Sequence, residues 1–126
     1  MTLNDIFDLA MILSDNEDDA DLYSPRALGI LKVLRREIAT LCGDRDFLPE
    51  LTGLDSPFGL DDELAEGVAP YGLAANLLLE DNPGTASYFA QKYEEGLRYY
   101  LARRKAETEE IERPYGLIGY GSFARW

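Results

Sequence analysis

Apolar residues recur every three to four positions through most of this chain, the spacing with which an amphipathic helix buries one face. Leu3, Ile6, Phe7, Ala10 and Leu13 define a first helix over about residues 3–14, opened by Thr2 and Asp5 in a capping arrangement. Ser24 and Pro25 supply an N-cap and a first-turn proline for a second helix. Its stripe is Leu28, Leu31, Leu34, Ile38 and Leu41, ending at Cys42 and Gly43, with Lys32, Arg35, Arg36 and Glu37 on the other face. A third helix begins at Asp61 or Asp62, where acids suit the helix dipole, and carries Leu64, Val68, Tyr71, Ala75 and Leu78 as far as Glu80. Pro70 lies inside that pattern and predicts a kink, and the small residues Gly67, Ala69, Gly72, Ala74 and Ala75 let another helix approach closely. Asn82 and Pro83 end it and cap a fourth helix over about residues 83–106, striped by Ala86, Phe89, Tyr93, Leu97, Tyr100 and Leu101. Residues 109–113 are charged and expected to fray, and Pro114 stops the helix. The expected fold is all-α, a small bundle of about four helices over residues 1–113 followed by an extended tail over 114–126.

With 126 residues, of which 46% are apolar, one domain with one modest core is expected, burying roughly two-thirds of the unfolded chain's surface. The absence of histidine removes the usual general base near neutral pH and the Ser-His and Cys-His nucleophile pairs. Cys42 alone forms no internal disulfide and, without histidine, no zinc set. Adjacent acids such as Asp61 with Asp62, or Glu94 with Glu95, do not face each other on a helix and share no site. Neither catalysis nor a cofactor is expected. No apolar run approaches the roughly 18 residues of a membrane span and no secretory signal opens the chain, so it is expected to be cytosolic when made, with no membrane partner.

Twenty-four acids against twelve bases give a net charge of −12, which opposes tight binding to nucleic acid. The acid is unevenly placed: residues 1–63 carry a net −10 and residues 64–126 a net −2. It is densest at Asp15, Glu17, Asp18, Asp19 and Asp21, read as a solvated loop. As a calcium loop the segment fails, with Ala20 where a sharp turn needs glycine and Arg26 where a bidentate Glu is needed.

Two apolar stretches have no helical period. Between residues 44 and 60, Pro49, Gly53, Pro57 and Gly59 punctuate Phe47, Leu48, Leu51, Leu54, Phe58 and Leu60. A loop of that length and hydrophobicity packs either on its own bundle or on an adjoining subunit. Residues 114–126 carry three glycines and a proline beside Tyr115, Leu117, Ile118, Tyr120, Phe123 and Trp126, too apolar for a tail kept in water. They call for a partner groove or a place on their own bundle. The glycines lack the Lys-Ser/Thr and the strand-to-helix setting of a phosphate loop.

The third helix, with Glu66, Gly67, Val68, Ala69, Pro70, Tyr71, Gly72, Leu73, Ala74 and Ala75, closes on Leu79, Glu80, Asp81, Asn82 and Pro83. Together with Ala86, Tyr88, Phe89 and the run Gln91, Lys92, Tyr93, Glu94, Glu95, this hairpin resembles the head-tail connector (head-completion) proteins of long-tailed bacteriophages and prophages. The resemblance covers about residues 61–101 and extends loosely to the second helix. It implies a structural adaptor in the virion, assembled as a homo-oligomeric ring, typically dodecameric, beneath the portal protein. Such a ring extends the DNA channel and gives the neck or tail-completion protein its platform, with extended segments rather than an active site carrying function. On that reading Tyr115, Leu117, Ile118, Tyr120, Phe123, Trp126, Phe47, Leu48 and Leu51 are the expected protein-binding residues. Asp15, Glu17, Asp18, Asp19 and Asp21 are the expected channel lining, repelling DNA phosphate so that the duplex passes without sticking. A second reading, an acidic module that occupies a basic groove as a DNA mimic or regulatory partner, predicts a monomer or dimer instead of a ring.

Overall fold

A computed structural model describes residues 1–43 and 48–112. The chain is all-α: α1 (Leu3–Leu13), a 3₁₀ turn (Glu17–Asp19), α2 (Ala20–Cys42), α3 (Asp62–Gly67), α4 (Ala69–Leu77) and α5 (Pro83–Glu112). Among the described residues the one extended pairing is an isolated bridge between Thr2 and Pro57.

The start of α1 is fixed by a complete capping box. The Thr2 hydroxyl accepts from the Asp5 N–H (3.4 Å) and the Asp5 carboxylate accepts from the Thr2 N–H (3.0 Å). Leu3, Ile6, Phe7, Ala10 and Met11 then face the core, while Leu13 is 40% exposed. Helix α2 begins at Ala20, four residues before the expected cap, so Pro25 lies inside it. The proline removes the donor for the Asp21 carbonyl at a residue open to water. In return the extra turn carries Tyr23 into the core, where its hydroxyl donates to Asp81 (2.8 Å). The helix ends as its sequence predicts: Gly43 has φ +80° and its N–H returns to the carbonyls of Ala39 and Thr40.

The third predicted helix is two helices. The chain breaks at Val68 (φ −124°, ψ −55°), and Pro70 becomes the second residue of α4, where its missing N–H costs nothing. The expected kink is therefore a full break. Seven of the nine residues of α4 are buried, the pattern of a helix enclosed on all sides, and it packs against α1, α2, α3 and α5. Gly72 lets α2 and α5 close on it. Helix α5 supplies Ala86, Phe89, Leu97 and Tyr100 to the core and continues to Glu112, beyond the end expected near residue 106. The proposed boundary between bundle and tail at residues 113 and 114 lies outside the described residues.

Candidate functional site

Residues 48–60 form a strap across the N-terminal end of α1. Helix starts leave backbone donors without partners, and the strap's carbonyls take them: Leu3 N–H donates to Ser56 (3.0 Å) and Asn4 N–H to Leu54 (2.8 Å). Phe58 N–H returns to the Met1 carbonyl (2.9 Å). The Ser56 hydroxyl closes the strap's own turn by accepting from the N–H groups of Thr52 (3.1 Å) and Gly53 (3.2 Å). Leu51 and Phe58 are buried with the bundle core and Leu54 and Leu60 pack against it, so residues 48–60 cover their own bundle. This corrects the expectation for Leu51: at 3% exposure it fills the chain's own core and offers no side chain to a partner. Leu48 is half-buried at the strap's edge, and Phe47 lies outside the described residues.

Arg35 also departs from the sequence reading. It is 8% exposed, and its guanidinium reaches under the strap to donate to the carbonyls of Pro49 (2.6 Å) and Phe58 (3.3 Å). Burial, and secondarily the neighbouring Arg36 charge, pull its pKa down from the ordinary arginine value. Position 35 falls between Leu34 and Ile38 and one turn after Leu31, inside the buried face. A sequence reading that followed angular position rather than residue type would have found it. Gly59 (φ +83°) completes the arrangement, since a Cβ there would lie 3.2 Å from Pro49 Cδ and 3.4 Å from Arg35 Nη1. Beside this tie opens a pocket of about 360 Å³ lined by Lys32, Arg35, Arg36, Leu48, Pro49, Glu50 and Leu51. Among the described residues, three cations thus share one hollow with a single carboxylate.

From Glu17 onward the acidic run is helical rather than looped. Glu17, Asp18 and Asp19 make the 3₁₀ turn, Asp21 lies in the first turn of α2, and Asp15 precedes them with φ +57°. All five side chains are exposed, and no described cation forms an ion pair with them.

Apolar side chains are also left uncovered. Between α2 and α4 a hollow of about 460 Å³ is lined by Pro25, Arg26, Gly29, Ile30, Val33, Leu34 and Asn76, and Val33 is 70% exposed. On α1 a second hollow, about 480 Å³, is formed by Met1, Leu9 and Ile12 among Asp5, Asp8 and Glu66. The expected tail anchors Tyr115, Leu117, Ile118, Tyr120, Phe123 and Trp126 lie outside the described residues.

Among the described residues no group of three or more His, Cys, Asp or Glu side chains is placed to hold a metal ion, and no described helix is long and apolar enough to cross a membrane. The described residues present a basic pocket, an acidic turn, an apolar hollow between α2 and α4, and a hollow on α1 that mixes apolar and acidic side chains. No family model matches the chain, and neither curated proteins nor solved structures show a similar one.

Proposed function

We propose that this chain is a structural adaptor of the phage head-tail connector type, a subunit that closes into a ring beneath the portal and receives the neck or tail component on its other side. The observation that carries the reading is a pair of unlike hollows, an apolar one between α2 and α4 and one on α1 in which Met1, Leu9 and Ile12 lie among three carboxylates. Ring closure needs a heterologous contact, in which one patch of a subunit meets a different patch of the next, and two unlike hollows on one small bundle supply such patches. The resemblance of the α3–α5 hairpin to connector proteins supports the same reading independently of those surfaces. The exposed carboxylates at Asp15, Glu17, Asp18, Asp19 and Asp21 suit a channel wall past which DNA moves, because their repulsion of phosphate opposes sticking.

Within this proposal residues 114–126 are the docking tail, with Tyr120, Phe123 and Trp126 as aromatic anchors of the kind whose truncation often costs about 2 kcal/mol or more. Deleting residues 114–126 should leave the helical circular dichroism of the bundle unchanged and abolish attachment to portal-bearing capsids, read by co-sedimentation and by electron microscopy of the neck. Attachment at the full-length level by the truncated chain would refute the assignment.

A further inference from the structure

The basic pocket is anomalous in a protein of net charge −12. Lys32, Arg35 and Arg36 line one hollow between α2 and the strap; among the described residues Glu50 is the only carboxylate in that lining, and none forms an ion pair with any of the three. Arg35 is fixed there, more than nine-tenths buried and oriented by two backbone carbonyls, so the pocket is preformed. Lys32 and Arg36 are exposed beside it, and a cation cluster with no ion pair among the described residues is a receptor for carboxylates.

The same helix carries the complementary charge at its other end. From Asp19, which precedes α2, to Arg35 is sixteen residues, or about 24 Å along the axis at 1.5 Å per residue. That is roughly three times the 8 Å screening length at physiological salt, so the two ends of one copy do not neutralise each other. Arg26 is the nearest base in sequence to the acidic turn and leaves it strongly negative. Among the described residues, each copy therefore presents an acidic end and a basic pocket, neither joined by an ion pair, at different places on one helix.

We infer that the Lys32, Arg35 and Arg36 pocket of one subunit receives the Asp15 to Asp21 turn of the next copy of this chain. This deepens the adaptor reading and rests on it, because a contact between unlike patches propagates around a ring. The pocket's three cations less Glu50 offset two of the five incoming carboxylates. The remainder keeps the subunit boundary repulsive to DNA phosphate.

The test is a charge swap on the full chain, leaving Arg35 in place because it holds the strap. One variant reverses the acidic end (Asp18→Lys, Asp19→Lys, Asp21→Lys) and the other reverses the pocket (Lys32→Glu, Arg36→Glu). Self-association is measured by sedimentation at low ionic strength over a concentration series, with folding checked by circular dichroism. Each variant alone should associate about a hundredfold more weakly than the unaltered chain, since like charges then face each other across the contact. Mixing the two variants should restore association, because each now carries the complement of the other. In a second measurement a synthetic peptide of residues 14–22 should bind the unaltered chain and fail to bind the pocket variant. Unaltered association of either variant, no rescue on mixing, or an unaltered chain that stays monomeric at every concentration overturns the inference. Capsid attachment is read separately, so a chain that attaches to portal yet fails the charge swap would sink this contact and leave the adaptor reading standing.

Discussion

A methyl group on residue 72 would sit 2.7 Å from Cδ1 and 3.0 Å from Cε1 of Tyr93, and 3.2 Å from Cδ2 of Leu34. The Tyr93 ring cannot retreat cheaply, because its hydroxyl donates to Glu37 on α2. Gly72→Ala should therefore destabilise the bundle by about 1–3 kcal/mol through overpacking, more than offsetting the gain of up to about 1 kcal/mol that alanine has over glycine within a helix. Gly29→Ala is the contrast, since its new methyl meets nothing within 4 Å and the helix should gain about 0.5–1 kcal/mol. Urea midpoints of the two variants should move in opposite directions. If Gly72→Ala leaves the midpoint in place, the close approach of α4 to α5 is wrong. Arg35 makes a different kind of contribution, since its stem packs while its head ties the Pro49 and Phe58 carbonyls of the strap. Arg35→Met keeps the stem and removes two donors, and should cost about 1–3 kcal/mol. Hydrogen exchange at the amides bonded between the strap and the start of α1, those of Leu3, Asn4 and Phe58, should quicken more than exchange in α4. Equal protection in both proteins would mean that Leu51 and Phe58 hold the strap unaided.

Element boundaries were legible where local chemistry alone decides them. The Thr2 and Asp5 box, the Gly43 cap and the core stripe of α5 were readable in sequence because each depends on neighbours a few residues apart. The early start of α2 and the break at Val68 were not, because tertiary packing overrode the local signals. Tyr23 reaches Asp81 across fifty-eight positions, and α4 is enclosed by four helices at once. Three tyrosines now bridge elements by donating to carboxylates: Tyr23 to Asp81, Tyr93 to Glu37 and Tyr100 to Asp61. Burial first, and then the bond to Asp61, push the Tyr100 pKa up to about 12 from an ordinary 10.0. The folded chain thus holds this proton more tightly than the unfolded chain does. The resulting stability is fully present below pH 10 and is lost as pH rises towards 12. Tyr100→Phe abolishes that titration. Above pH 10 the urea midpoint of the unaltered protein should fall more steeply than that of the variant, although the variant starts lower near neutral pH for want of the hydrogen bond. Parallel slopes would show that Tyr100 titrates normally in the fold.

At the scale of the whole molecule, the acidic run was plain in the sequence but its counterpart was not. The pocket joins residues 32–36 of a helix to residues 48–51 of a strap, and only folding brings them to one hollow. Charge then acts in two opposed ways. Within one copy, the net −10 over residues 1–63 is mostly self-repulsion, because the described ion pairs are few and Arg103 with Glu63 is the best formed of them. Between copies, the acidic turn and the basic pocket attract. Salt screens both, so its effect depends on which is measured. For the dilute chain, raising salt from low to physiological strength should raise the thermal midpoint by about 3–5 °C, corresponding to about 1 kcal/mol of relieved repulsion. Over the same range, self-association measured by sedimentation should weaken. A midpoint that falls with salt in the dilute chain would mean that attraction within the copy outweighs repulsion. The acidic turn would then already have its partner at home, and the pocket would need another occupant.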